Sequence, residues 1–265
     1  MSTQPGFSLR KWYLDCVADN GDTFIGYSGA LRWKEWTLHY SSITTRRGNS
    51  AIETETSLGK DSFPQMNDRQ VDWSSKALNL CGTWTRISEG IQQTLYDSPE
   101  GKIIWSCVHP RSKADIAFGT NNHITGLGYA EMLELTIKPW LLPIDELRWG
   151  RFLSDHDVMV WIQWRGATPL SVVFHNGKLI RDATITDEGV EFHGDRTLLT
   201  LTERTELRKG EIVSTALSRI PGIDAILPAR MLHTFECKWR SKGVLSINGS
   251  PVGSGWTIHE IVKFP

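Results

Sequence analysis

Glu131 is the one carboxylic acid in the run Gly126-Leu127-Gly128-Tyr129-Ala130-Glu131. Tyr129 stands two positions before it, so on a strand the two side chains share a face. A carboxyl held among Leu127, Met132, Leu133 and Leu135 is poorly solvated, which raises its pKa and suits it to general acid work near neutral pH. Tyr129 would then donate a hydrogen bond to a substrate oxygen. The competing reading is a structural ion pair with Arg148 or Arg151 across a sheet. His123 opens the segment and has the chemistry of a base or proton shuttle. Beside Asn121 and Asn122 it equally fits an exposed loop.

The next candidates bind rather than react. Arg148 can hold a carboxylate or enolate oxygen bidentately, or simply pair with Glu146. Trp149, Trp161 and Trp164 supply apolar walls; Trp161 and Trp164 differ by an odd number, so an ideal strand aims them at opposite faces. Trp33 and His39 in an aromatic strand, and His233 with Phe235 and Trp239, complete the set of candidate lining residues. Trp is 12 of the aromatic residues against 9 Phe and 5 Tyr, a bias that suits either a ligand cavity or a β-sheet core. No metal site is expected. Asp155, His156 and Asp157 are adjacent on a turn and cannot converge on one ion, and Cys16, Cys81, Cys107 and Cys237 are too scattered for a zinc motif. They read as free, mostly buried thiols. No G-x-S-x-G elbow is present, and G-x-G-x-x-E is not a dinucleotide fingerprint.

The elements that must position these residues are strands. Trp12 to Ala18 and Thr23 to Gly29 flank Asn20-Gly21-Asp22, which reads as a hairpin with a two-residue turn; Leu31 to Tyr40 reads as the next strand. Ile91 to Tyr96 and Lys102 to Val108, Leu170 to His175 and Lys178 to Asp182 around Asn176-Gly177, and Val244 onward around Asn248-Gly249 are further hairpins. Residues 48–75 are polar and weakly patterned, a long loop or ragged strands. Helix is confined to Ile144 to Arg148 and Ile223 to Met231. Short strands at such spacing predict an all-β chain, two antiparallel barrels or one large barrel or sandwich pair, with very little helix. An echo of Lys11-Trp12-Tyr13-Leu14 in Arg148-Trp149-Gly150-Arg151 places two halves at 1–138 and 139–265.

Composition removes other classes. Lys plus Arg is 29 and Asp plus Glu 30, for a net charge of -1, so no basic excess points to nucleic acid. No apolar run is long enough for a membrane helix, and the N-terminal residues lack a signal-peptide pattern, which together predict a cytoplasmic protein.

Gly128-Tyr129-x-Glu131, Pro139-Trp140-x-Leu142-Pro143, Leu147-Arg148-Trp149-Gly150-Arg151 and Trp161-Ile162-x-Trp164, with Trp12-Tyr13-Leu14-Asp15 as a first strand, resemble the lipocalin-like carotenoid 1,2-hydratase (hydroxyneurosporene synthase)/AttH group. More distantly they resemble tocopherol cyclase and the lipocalin-like Diels–Alderases. The resemblance implies two lipocalin-like β-barrels and a ligand cleft. It implies hydration, cyclisation or isomerisation of an apolar small molecule without metal or redox cofactor. The function expected is therefore cofactor-independent acid–base chemistry on a hydrophobic ligand, with Glu131, Tyr129 and His123 catalytic. A noncatalytic carrier of an apolar ligand is the alternative.

Overall fold

The structure is a computed structural model, and it describes residues 6–59, 63–194, 196–212, 214 and 227–265. It is 69% strand and 3% helix, with one half-barrel sheet and one nearly closed barrel sheet. The chain divides into two compact units, Met1–Leu141 and Leu142–Pro265.

The first unit holds β1 (Phe7–Val17), β2 (Thr23–Trp33), β3 (Trp36–Arg46), β4 (Glu53–Leu58), β5 (Gln65–Met66), β6 (Gln70–Ser75), β7 (Leu80–Arg86), β8 (Ile91–Ser98), β9 (Gly101–Phe118) and β10 (Asn122–Leu135). They pair antiparallel in the order β4-β3-β2-β1-β10-β9-β7-β6-β5, with β8 also on β9. The second unit holds β11 (Glu146–Leu153), β12 (Val158–Arg165), β13 (Leu170–His175), β14 (Lys178–Ile180), β15 (Ala183–Ile185), β16 (Gly189–Phe192), β17 (Thr197–Glu211), β18 (Phe235–Ile247) and β19 (Ser250–Lys263), with a short helix α1 (Ala229–Leu232) before β18. Their order is β14-β13-β12-β11-β19-β18-β17-β16-β15. Each sheet therefore seats its first strand between its second and its last.

Alternation decides which residues enter the cores. In the first unit Trp12, Leu14 and Cys16 of β1 pack with Phe24, Trp73, Trp84, Ile116 and Ala130. In the second, Phe152, Met159, Trp161, Val173, Phe192 and Leu245 form the core. Turn chemistry follows the residues that tolerate positive φ. Asn176 and Gly177 sit at φ 49 and 78, and Asn248 and Gly249 at φ 52 and 79, the two-residue hairpin geometry expected of both pairs.

Three local expectations change. The Asn20-Gly21-Asp22 connection spans 18–22 and is closed by Ala18 N–H on the Asp22 carbonyl (2.9 Å), so it is longer than a two-residue turn. The segment Leu31 to Tyr40 is two strands, because Lys34 (φ 54) and Glu35 turn the chain and Trp33 pairs with Trp36. Arg148 lies in β11 rather than a helix, since its register with Gln163 and Ile261 supplies the ladder bonds that a lone helical turn lacks. Residues 48–75 form the ragged strands β4 to β6. Of Ile223 to Met231, residues 223–226 lie outside the described residues and only Ala229 to Met231 are helical, in α1. Among the described residues no helix is long and apolar enough to cross a membrane.

Candidate functional site

β10 pairs with β1 so that Tyr129 faces Asp15 and Glu131 faces Tyr13. The alternation that sends Trp12, Leu14 and Ala130 into the core turns these four side chains to the other face of the sheet. That face is also closed to water: Tyr13, Asp15 and Tyr129 are buried, and Glu131 is 8% exposed. Two Tyr-x-acid units thus lie side by side. The Tyr13 hydroxyl donates to Asp15 Oδ2 (2.9 Å), and the Tyr129 hydroxyl to Glu131 Oε2 (2.6 Å). Tyr13 makes edge contacts with Tyr129 and Tyr27 at centroid distances of 6.0 and 5.4 Å.

β9 completes the group. Its register with β10 shifts between Gly128 and Ala130 and again between Ala130 and Met132. Such bulges re-aim side chains. Trp105 Nε1 donates to Glu131 Oε2 at 2.5 Å, and the Cys107 thiol lies in hydrogen-bond reach of the Tyr129 hydroxyl. Burial raises the Tyr129 hydroxyl well above the usual phenol range, and the neighbouring Cys107 and Glu131 raise it further. Tyr129 is consequently a protonated donor. Burial likewise raises the Cys107 thiol well above its usual range, with the Tyr129 bond acting in the opposite direction. Cys107 is a thiol and not a nucleophilic thiolate.

Two donors thus converge on one oxygen of the Glu131 carboxyl group. The sequence suggested a general acid. Of the two donors, Tyr129 belongs to the Gly126–Glu131 motif itself, whereas Trp105 comes from β9 and is not visible in that motif.

The other expected residues separate into groups. His123 does not join Glu131. It lies eight positions away along β10, about 26 Å at ~3.3 Å per residue, and is exposed in a pair with Asp115 (2.8 Å). Trp33 packs against Trp140 at 5.2 Å, and His39 against Phe63 at 5.9 Å with its Nδ1 buried and without a hydrogen-bond partner. His233 is exposed, with Nδ1 3.2 Å from Glu211, so it is neither core nor cavity lining. Trp149 is buried beneath the Lys238 ammonium, 5.5 Å from its ring, and Trp164 donates to the Thr168 carbonyl (2.8 Å).

Arg148 and Trp161 do meet, in a small recess of the second unit with Asp187, Arg204, Trp239 and His259. The cavity measures about 10 Å³, room for about one water. Arg148 donates to Glu146 (2.8 Å) and to the Asp187 carboxylate. Burial works against its charge, and the two carboxylates more than offset that. Trp12, Trp73, Trp84 and Trp161 fill the two cores, and Trp36 is 80% exposed. The Trp bias is thus largely a packing feature.

Asp15, Trp105, Cys107, Trp239 and His259 were not singled out as site residues by the sequence. Asp15 had a readable signal, since Tyr13-x-Asp15 repeats Tyr129-x-Glu131. The others depend on inter-strand register, which no local pattern records. All four cysteines are free, with Cys81 exposed and the other three buried. Among the described residues no group of three or more His, Cys, Asp or Glu side chains is placed to hold a metal.

No protein-family description and no curated protein matches the chain. Solved structures do match its fold. An AttH candidate from Nitrosomonas europaea aligns with a TM-score of 0.55 at 10% identity, over 98% of this chain and 93% of that one. CghA, also solved with Sch210972, aligns at 0.56 and 11% over 97% and 88%. Kievitone hydratase from Nectria haematococca aligns at 0.55 and 8% over 97% and 89%. The resemblance read from the sequence is borne out at the level of fold.

Proposed function

We propose that the protein is an acid–base enzyme of the isomerase, cyclase or hydratase type, needing no cofactor and acting on a hydrophobic small molecule. The observation that carries this reading is the Glu131 carboxylate, buried on a central strand with Tyr129 O–H and Trp105 N–H on one oxygen. A buried carboxylate on a sheet face costs several kcal/mol unless it is bonded. The surrounding donors offset that cost and fix its orientation, which is the preorganisation that proton transfer needs. For isomerisation Glu131 accepts a proton from one position of the substrate and returns it at a second; for hydration it accepts the proton of the attacking water, whose hydroxyl bonds to one carbon of the double bond, and delivers that proton to the other. Tyr129 is the hydroxyl closest to the transferred proton. Kievitone hydratase, similar in fold, is by name an enzyme that hydrates, which supports the chemistry but not the substrate.

Solvent exchange tests this reading. A panel of polyunsaturated and polycyclic apolar compounds is incubated with the protein in D₂O and read by mass spectrometry. Wild type should give deuterated or rearranged product from a panel member, and Glu131→Gln should slow it by on the order of 10²–10⁴. A compound that binds saturably but returns unchanged in mass and structure with both proteins would replace the enzyme by a carrier.

A further inference from the structure

Lys11 lies on the same face of β1 as Tyr13 and Asp15, one row outward from Glu131. Its register partners are Gly29 of β2 and Leu133 of β10, whereas Tyr13 faces Tyr27 and Glu131. Burial loosens between the two rows. Tyr13 is 2% and Glu131 8% exposed, while Lys11 and Leu133 are half-buried.

The Lys11 ammonium has no counter-ion among the described residues. It lies over the Tyr27 ring, 5.4 Å from the centroid, a contact that leaves its N–H donors available to an anion. Neither flank supplies an acid. Leu133 is apolar, and Gly29 has no side chain; the Tyr40 ring comes within 2.5 Å of where its Cβ would stand. Other cations of the chain are matched. Arg10, on the opposite face of β1, bonds Glu134 (2.7 Å), Arg148 holds Glu146 and Asp187, and the buried Lys238 pairs with Glu236 and Glu260.

The next row outward is apolar throughout. Leu38 of β3, Leu31 of β2, Leu9 of β1, Leu135 of β10 and Ile103 of β9 align in register. Leu9, Leu31 and Leu38 are only half-buried, so apolar surface remains beside the ammonium. Three successive rows of one sheet face therefore carry a proton-transfer group, a cation and an apolar strip. Two residues of extended strand separate each row from the next, about 7 Å.

We propose that the ligand of the Glu131 site is an apolar carboxylic acid, an inference that rests on the reading of Glu131 as the proton-transfer group. Its carboxylate sits on Lys11 and its apolar body covers the Leu9–Leu31–Leu38 row. The reacting carbon lies a few bonds from the carboxylate, because Glu131 is one row inward. Asp15 and Glu131, the carboxyl groups on the inner side, disfavour an anion, so Lys11 is the group that admits one. A neutral ester of the same shape gains nothing from the ammonium, whereas the leucines serve acid and ester alike.

The test uses cis-parinaric acid and pyrenebutyrate as probes, each beside its methyl ester. They are titrated against the full chain at pH 7.5, with binding read by probe fluorescence excited through Trp. At least one acid should bind saturably and at least tenfold more tightly than its ester. Lys11→Met keeps the apolar stem and should erase that preference, and Lys11→Arg should keep it. Glu131→Gln should bind the same acid at least as tightly as wild type. Equal affinity for acid and ester, an acid preference that survives in Lys11→Met, or no saturable binding of either acid would overturn the anchor. An acid that binds through Lys11 and returns unchanged from D₂O would instead overturn the Glu131 reading and leave the anchor standing.

Discussion

His259 should make the fold acid-sensitive by an amount that the structure sets. Its pKa is held at about 3, by burial first and by the nearby Arg204 second, with Lys238 adding to the effect and Asp187 and Glu260 opposing it. An unfolded chain returns it to about 6.5. Above pH 6.5 the imidazole is neutral in both states and contributes no pH dependence. As pH falls below 6.5 the unfolded chain takes up a proton that the native state refuses, so stability is lost progressively down to pH 3. At ~1.36 kcal/mol per unit, the loss is about 2 kcal/mol at pH 5 and about 4 kcal/mol at pH 3, where the native state begins to take up the proton as well. The assay is urea unfolding of wild type and His259→Gln at pH 7.5 and pH 5. Gln keeps a partner for the Ser241 hydroxyl, which lies 2.9 Å from His259 Nε2, but does not titrate. Carboxylates titrate in both proteins and cancel in the difference. Wild type, the more stable at pH 7.5, should therefore lose about 2 kcal/mol relative to the variant at pH 5. A stability difference that is the same at both pH values would show that His259 does not stay neutral in the native state, and the burial argument would fail.

Two more outcomes test the packing and the thiols. Gly150→Ala should cost about 1–3 kcal/mol in urea unfolding, because the new methyl displaces the Trp161 indole from the backbone of β11. Trp161→Phe in the same background should recover part of it, and an unchanged midpoint for Gly150→Ala alone would refute the contact. With a disulfide reagent at pH 8, one thiol, Cys81, should label rapidly in the native protein, and Cys16, Cys107 and Cys237 only on unfolding. Rapid labelling of Cys107 would mean that the Tyr129–Cys107 contact opens readily, and with it the enclosure of Glu131.

What the sequence discloses here is what a single strand can encode. Tyr129 and Glu131 share a face because they are two apart, and Asn176-Gly177 and Asn248-Gly249 are turns because those residues accept positive φ. The opposed aims of Trp161 and Trp164 follow the same rule: Trp161 joins the core, and Trp164 bonds back to the Thr168 carbonyl. Relations between strands are another matter. Trp105 reaches Glu131 through a β9–β10 register with two irregularities, and Asp187 reaches Arg148 of β11 from the turn between β15 and β16. His123 looked like a partner of Glu131 because the two are close in sequence, yet an extended strand carries nearby residues apart at ~3.3 Å each.

The chemistry gathers where the topology closes. In each unit the last strand returns beside the first, β10 on β1 and β19 on β11. This sets Glu131 opposite Tyr13 in one unit and His259 opposite Gly150 in the other, joining residues from opposite ends of each unit in one row. These strands are also the middle of their sheets, with ladders on both sides, so their side chains lose water more completely than those of edge strands such as β4 or β14. A carboxylate or imidazole at an edge would keep near-ordinary acidity. At the closure it must find partners within the protein or stay neutral. Glu131 takes the first course, with two donors on Oε2, and His259 the second, with its pKa at about 3. Moving the Tyr129-x-Glu131 pair to an edge strand would therefore preserve its hydrogen bond and remove the enclosure that makes it useful for proton transfer.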